Sequence, residues 1–278
     1  MIKLSGFADE VSVDFRGQLE FLKSQGIKHI ELRFVDGVNT VNLDAEALRR
    51  TRDMLEEYGI GVSAIASPIG KIALDEPYAP HFEKFRHAVG LAGFFGTKLI
   101  RMFSFYPPKD ENIDDCRAEV MLRLNEMAHV AEKSGVILVH ENESHIYGHN
   151  AENCVDIAET IGLSSLRLAY DPANFVWGEG ITDNIERCFP QMEPYVSHIH
   201  IKDWKLGSKE IGSLPGDGDG QIDALIARLA DTGYSGFVTL EPHMSSGGQF
   251  GGETSAEQFS AAIERVKTMC AQYNLKYE

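Results

Sequence analysis

Two histidines lie two residues apart in the stretch "SHIHIKDW", residues 197–204, which otherwise has the pattern of a buried β-strand. Alternate side chains of a strand share one face, so His198 and His200 point to one side while Ile199 and Ile201 point to the other. A single histidine in an apolar strand is usually a core residue that hydrogen-bonds to a neighbour. Metal binding by these imidazoles would require carboxylates at the ends of neighbouring strands.

Carboxylates occur in that position in three other runs. "VILVHENE", "LRLAYDPAN" and "FVTLEPH" carry Glu141, Asp171 and Glu241 where the strand-like pattern ends, as His200 does in its own run. Each of these acids alone has an ordinary structural explanation, such as a turn before proline. Together, converging carboxylates repel one another unless a cation or a proton lies between them. Three carboxylates and one imidazole suit Mn²⁺, Mg²⁺, Co²⁺ or Zn²⁺, and the sequence therefore predicts a centre for one divalent metal ion.

The elements that would position these residues follow a repeating pattern of helix, glycine and short apolar run. Six glycines fit the left-handed position that ends a helix: Gly26, Gly59, Gly96, Gly135, Gly162 and Gly233. Strands are predicted to start near residues 2, 28, 62, 98, 136, 166, 196 and 237. Eight alternating units in 278 residues predict an α/β fold, a (β/α)8 TIM barrel that forms a single domain over residues 1–278. The long loops at 67–82, 204–221 and 242–255 follow strands, where the active-site face of such a barrel lies.

Composition narrows the class of partner. The formal charge of −16 comes from 42 acidic and 26 basic residues, which argues against a nucleic acid and favours a small-molecule substrate. No long apolar segment indicates secretion or membrane insertion. The four cysteines are widely spaced without a CxxC pair, so we expect reduced thiols in a cytoplasm. The pattern leaves open whether copies of the chain pair into a homo-oligomer.

The sequence resembles the xylose isomerase-like TIM barrels, a family of sugar phosphate isomerases and epimerases with ketose 3-epimerases and inosose isomerase or dehydratase relatives. The likeness covers nearly the whole chain and is most specific in "GVILVHENE", "YDPANF", "SHIHIKDW", "LPGDGDGQID" and "FVTLEPH". It implies that Glu141, Asp171, His200 and Glu241 bind the metal, for which Mn²⁺ is favoured over Zn²⁺, Co²⁺ or Mg²⁺. One departure is Asn174, which stands where ketose 3-epimerases usually have a histidine.

The chemistry expected of such a centre is proton transfer next to a carbonyl group. A divalent cation on the carbonyl oxygen and a neighbouring hydroxyl would stabilise an enediolate, and Glu141 and Glu241 would act as catalytic base and acid. This predicts a metal-dependent isomerase or epimerase of a small sugar, a sugar phosphate or a cyclitol. Two alternatives remain: a metal-dependent dehydratase of an inosose or dehydroshikimate-like substrate, and a non-catalytic sugar-binding barrel.

Further residues near the strand ends are candidates to bind a carbohydrate substrate. Asp203 could bind a hydroxyl, orient a ligand or cap the strand, and Glu31 could meet the substrate or form a salt bridge with Arg33 or Arg101. His198 is expected deeper in the barrel, and the glycine-rich segments "LPGDGDGQ" and 247–252 are expected to act as lids. The full set of predicted substrate-binding residues is Glu31, Lys71, Glu143, His145, Asn174, Asp203, Lys205 and His243.

Overall fold

Eight parallel strands close into a barrel in the computed structural model, which describes residues 1–208, 211–248 and 251–278. Neighbours along the chain are hydrogen-bonded neighbours in the barrel, and the last strand pairs with the first. Every strand begins within one residue of its predicted start, which confirms the barrel. The strands are β1 (Lys3–Gly6), β2 (His29–Leu32), β3 (Gly61–Ala66), β4 (Leu99–Met102), β5 (Ile137–Glu141), β6 (Leu166–Tyr170), β7 (Val196–Ile201) and β8 (Phe237–Leu240).

Helices surround the barrel and connect its strands. All six glycines predicted to end helices have positive φ angles, between 63° and 73°. Three short helices, α6 to α8, follow β6. The helices are α1 (Phe15–Ser24), α2 (Ala45–Tyr58), α3 (Tyr78–Phe94), α4 (Arg117–Ser134), α5 (Ala151–Ile161), α6 (Pro172–Glu179), α7 (Asn184–Arg187), α8 (Phe189–Met192), α9 (Ile222–Thr232) and α10 (Ala256–Gln272). Single 3-10 turns span Ala8–Glu10, Thr40–Asn42, Ile113–Cys116, Tyr147–His149 and Glu193–Tyr195.

The two faces of each strand differ in chemistry. Ile199 and Ile201 of β7 are fully buried in the main hydrophobic cluster, together with apolar side chains of the surrounding helices such as Leu225. The interior of the barrel is polar, since Ser5 and Ser63 share a hydrogen bond of 2.7 Å and His198 contacts Glu31. Alternation along the strands therefore places imidazoles and carboxylates inside the barrel, as predicted.

Loops at the carboxyl ends of the strands form the face on which the candidate site lies. A small hairpin, Phe34–Val35 with Val38–Asn39, follows β2. After β8, Ser246–Gly248 pairs with Gly251–Glu253. The predicted lid at 247–252 lies partly here, while its residues 249 and 250 are outside the described ones.

Two further sequence predictions concern membranes and thiols. Among the described residues, no helix combines the length and the apolar character that crossing a bilayer requires. All four cysteines are buried, and none forms a disulfide.

Candidate metal centre

The four predicted metal ligands come together at the carboxyl end of the barrel. Glu141 ends β5 and His200 lies near the end of β7, while Asp171 and Glu241 directly follow β6 and β8. All four are buried, and one ligand atom of each lies within 4.8 Å of the others. Parallel strands that end at one rim explain why residues separated by 100 positions along the chain meet here.

Asp171 is held by the start of helix α6. Its Oδ1 accepts hydrogen bonds from the backbone N–H groups of Ala173 and Asn174, at 2.8 and 3.1 Å. Asn142 fixes the Asp171 backbone from both sides, because its amide donates to the carbonyl and accepts from the N–H. The other carboxylate oxygen, Oδ2, is buried, and its close contact among the described residues is the ammonium group of Lys202, 2.9 Å away. A buried carboxylate oxygen that accepts no backbone N–H group is suited to bind a cation.

His200 is oriented by Glu31. Its Nε2 lies 3.2 Å from Oε1 of Glu31, so a proton on Nε2 would leave the lone pair of Nδ1 free for a metal. Nδ1 lies 2.9 Å from Glu141 Oε1 and 3.8 Å from Glu241 Oε2. The second oxygen of Glu31 contacts His198 Nε2 at 2.6 Å. Burial would raise the pKa of Glu31, but the two histidines lower it below its usual range.

Each carboxylate of the set also contacts a buried cation. Arg101 Nη1 lies 3.0 Å from Glu141 Oε2, and Arg33 Nη1 lies 2.6 Å from Glu241 Oε1. Lys202 Nζ lies 2.9 Å from Asp171 Oδ2. These contacts of the three cations with the predicted ligand carboxylates do not follow from the sequence, although the sequence contains a signal for two of the cations. Lys202 and Arg33 stand two residues after His200 and Glu31, in the register that shares a strand face.

These contacts give the carboxylates unequal basicity. Burial would raise the pKa of Glu141, but His200 and Arg101 outweigh it and lower the pKa to about 2. The pKa of Glu241 is likewise well below its usual range, because Lys202, His243 and Arg33 outweigh burial. Burial raises the pKa of Asp171 to about 6 in spite of Lys202. Both glutamates are therefore ionised at neutral pH and can accept a proton.

A cavity of about 280 Å³ opens above the four predicted ligands. This is near the lower end of ligand pockets, which start at about 300 Å³, so the cavity suits a small molecule. Glu141 and Glu241 reach its wall, and aromatic rings of Phe34, Phe103 and Trp177 line it. Five of the predicted substrate-binding residues also line the cavity: Lys71, Glu143, His145, Asn174 and His243.

Three predicted substrate-binding residues lie outside the cavity lining. Glu31 lies in the barrel interior beneath it, where it binds the two histidines and not Arg33 or Arg101. Asp203 accepts hydrogen bonds from the backbone N–H groups of Trp204, Gly216, Gly218 and Gly220. Lys205 is exposed and pairs with Asp219 at 2.7 Å. Asp203 thus organises the loop after β7, and the predicted lid is tied to it.

Three of the cavity-lining residues make contacts that fix their side chain or backbone. Asn174 donates a hydrogen bond to the Asn142 carbonyl at 2.8 Å, and its Nδ2 lies 3.5 Å from Glu141 Oε1. Lys71 Nζ lies 3.1 Å from Glu143 Oε2. His243 has a φ of 50°, and its backbone N–H donates to Glu10. Backbone in this left-handed region costs energy for a histidine and is common at binding sites.

A match to a known protein family identifies the family of this chain. A model of the family described as xylose isomerase-like TIM barrel matches residues 19–275. The chain belongs to this family. A comparison with curated protein sequences finds no match.

Solved structures share the fold at low sequence identity. A xylose isomerase-like TIM barrel protein from Mycobacterium smegmatis, in complex with magnesium, is 16% identical with a TM-score of 0.75, over 99% of this chain and 97% of that chain. The probable 3-DHS dehydratase AsbF from Bacillus anthracis is 18% identical with a TM-score of 0.75, over 96% and 99%. D-Psicose 3-epimerase from Clostridium cellulolyticum H10, with D-tagatose, is 14% identical with a TM-score of 0.71, over 99% and 100%.

Proposed function

We propose that this xylose isomerase-like barrel is a divalent-metal-dependent isomerase or epimerase of a small sugar, keto-sugar, sugar phosphate or cyclitol. The observation that carries the proposal is the convergence of Glu141, Asp171, His200 and Glu241 beneath a small cavity. Structural neighbours named as epimerases support it, among them the D-psicose 3-epimerase whose structure holds D-tagatose.

These four residues would hold the metal ion. The buried Oδ2 of Asp171, which already faces a cationic group, and the Nδ1 of His200, on the other side of the ring from Glu31, would supply donor atoms of the right kind. One nitrogen among oxygen donors favours Mn²⁺ or Mg²⁺, with Zn²⁺ and Co²⁺ as alternatives, and we propose Mn²⁺ first. When bound, such a cation supplies Lewis-acid stabilisation of negative charge that develops on substrate oxygens.

Glu141 and Glu241 would move the proton. They lie on strands separated by β6 and β7, so they face the cavity from different sides. One carboxylate would remove a proton from the carbon next to the carbonyl, and a proton would return from the other side in an epimerisation or to the adjacent carbon in an isomerisation. Arg101 and Arg33 hold one oxygen of each glutamate and so fix the direction of the other.

A dehydratase is the second candidate, and Lys71 favours it. Loss of a hydroxyl as water requires an acid that protonates the leaving oxygen. Lys71 lines the cavity next to Glu143. Burial lowers the pKa of the Lys71 ammonium, and a lower pKa would ease proton donation. The structural neighbour from Bacillus anthracis, named as a probable 3-DHS dehydratase, supports the same class.

Hydrogen–deuterium exchange tests these proposals together. The Mn²⁺-loaded protein is incubated in D₂O with a panel of ketoses, inososes, dehydroshikimate and sugar phosphates, and deuterium incorporation is followed by NMR. We expect exchange at the carbon next to the carbonyl of one panel member. A product that differs from the substrate only by the incorporated deuterium identifies an isomerase or epimerase, whereas loss of water identifies a dehydratase.

Glu241→Gln is the variant that links exchange to the centre. The amide cannot accept the proton, so exchange should fall by about a hundredfold or more. Glu253→Gln, a change in the hairpin after β8, serves as the matched control and should retain wild-type exchange. Metal binding without exchange of any panel member would contradict the enzyme proposal and favour a sugar-binding barrel.

A further inference from the structure

Lys202 is a buried cation inside the candidate metal centre. It stands directly after β7, two residues beyond His200, and its side chain is only 9% exposed. The ammonium Nζ lies 2.9 Å from Asp171 Oδ2 and 3.9 Å from Glu241 Oε2. One lysine therefore contacts two of the four residues that would bind the metal.

The contact with Asp171 involves the oxygen that a metal would use. The other oxygen, Oδ1, is occupied by the two N–H groups at the start of α6. Oδ2 is therefore the oxygen of Asp171 that is available to a cation. A divalent cation at this oxygen would be close to the ammonium group, and like charges repel strongly in a buried site.

The two arginines of the centre contact their glutamates differently. Arg101 contacts Oε2 of Glu141, while Oε1 is the oxygen nearest to His200 Nδ1, at 2.9 Å. Arg33 contacts Oε1 of Glu241, while Oε2 faces the same nitrogen at 3.8 Å. The arginines thus hold the outer oxygens and leave the inner ones to a metal. Lys202 alone of these three cations contacts an inner oxygen.

We infer that Lys202 sets the metal affinity of the centre by competing with the divalent cation for Asp171 Oδ2. The inference rests on the proposed function, because it takes these four residues as the metal site. Lys202 would thus be a positioning residue, which acts on the metal through Asp171. Lys202 also lines the cavity above these residues.

The test is Mn²⁺ binding to the full chain after treatment with EDTA, measured by isothermal titration calorimetry at fixed pH and ionic strength. Lys202→Met removes the charge and keeps much of the volume. We expect Mn²⁺ to bind roughly tenfold more tightly or better, because the repulsion is lost. Lys205→Met is the matched control: it also breaks a Lys–Asp pair, but an exposed one, and should bind as the wild type does.

Two further variants keep the test decisive. Lys202→Gln also removes the charge but can still donate to Asp171, so it replaces Lys202→Met if that variant folds poorly by circular dichroism. Lys202→Arg keeps the charge and should not tighten binding. Wild-type or weaker affinity in both uncharged variants would overturn the inference while leaving the metal centre in place. Absence of Mn²⁺ binding in the wild type and in every variant would overturn the proposed centre as well.

Discussion

Glu31 is the residue on which the orientation of His200 depends. It lies in the barrel interior, contacts Nε2 of His200 at 3.2 Å and does not line the cavity. In Glu31→Gln the amide is a weaker acceptor for the imidazole N–H, so the Nδ1 lone pair is less firmly directed to the metal. We expect Mn²⁺ affinity, measured by titration calorimetry, to fall by roughly tenfold to a hundredfold.

Glu46→Gln provides the control for this prediction. Glu46 lies on the exposed surface of α2 and pairs with Arg50, so its loss should leave Mn²⁺ affinity unchanged. If Glu31→Gln binds Mn²⁺ as tightly as the wild type, the acid does not orient the ligand, and the donor atom of His200 must be reconsidered.

At the residue scale, strand register predicted the positions of the four proposed ligands better than the contacts of the residues around them. Glu141 and His200 lie at the end of an apolar strand, and Asp171 and Glu241 directly follow one, so strand length alone places all four at one rim. Glu31 also ends a strand, but its partners on β7 lie 167 and 169 positions away. Sequence spacing contains no information on which long side chains meet inside a barrel, and the same reason explains the missed ion pairs of Arg33, Arg101 and Lys202.

At the element scale, Asp203 holds the loop after β7. Both its oxygens accept backbone N–H groups at 2.8–2.9 Å, including those of Gly216, Gly218 and Gly220. In Asp203→Asn, one acceptor oxygen becomes an NH₂ group that faces two N–H donors. We expect the free energy of unfolding, measured in urea, to fall by roughly 2–4 kcal/mol, and hydrogen exchange at these glycine amides to become faster.

Asp219→Asn separates this effect from a general loss of charge in the loop. Asp219 accepts from the backbone N–H of Leu206 and pairs with Lys205, but the pair is exposed. Its substitution should cost about 1 kcal/mol or less. Equal losses of unfolding free energy in the two variants would mean that Asp203 stabilises the loop no more than Asp219 does. The role of Asp203 could not be predicted from the sequence, because a strand-end aspartate binds ligands and caps loops with the same atoms.

At the scale of the whole molecule, the barrel was the most predictable feature. Helix–glycine–strand junctions recur along the chain, and each is local in sequence, so the strand starts were predicted within one residue. The division of the segment after β6 into α6, α7 and α8 was not predicted. Asp171 caps α6 and Gly180 ends it at a φ of 66°, so the helix stops after Glu179.

His140 makes the stability of the whole fold depend on pH. It is fully buried on β5, and neither ring nitrogen has a hydrogen-bond partner among the residues that the structure describes. Burial lowers its pKa to about 4, from 6.5 in an exposed histidine. The unfolded chain therefore binds more protons than the folded chain between these values. Stability from this residue is complete above pH 6.5 and is lost as the pH falls towards 4, by roughly 3 kcal/mol in all.

His140→Leu tests this prediction without a large change in volume. Asp171 titrates with the opposite sign, since burial raises its pKa to about 6, so the quantity to compare is the difference between the two proteins. Urea unfolding at pH 7 and pH 4.5 should show that the variant loses less stability on acidification than the wild type. The exposed His129→Leu should follow the wild type. Parallel stability curves for His140→Leu and the wild type would show that His140 is not the group whose protonation destabilises the barrel.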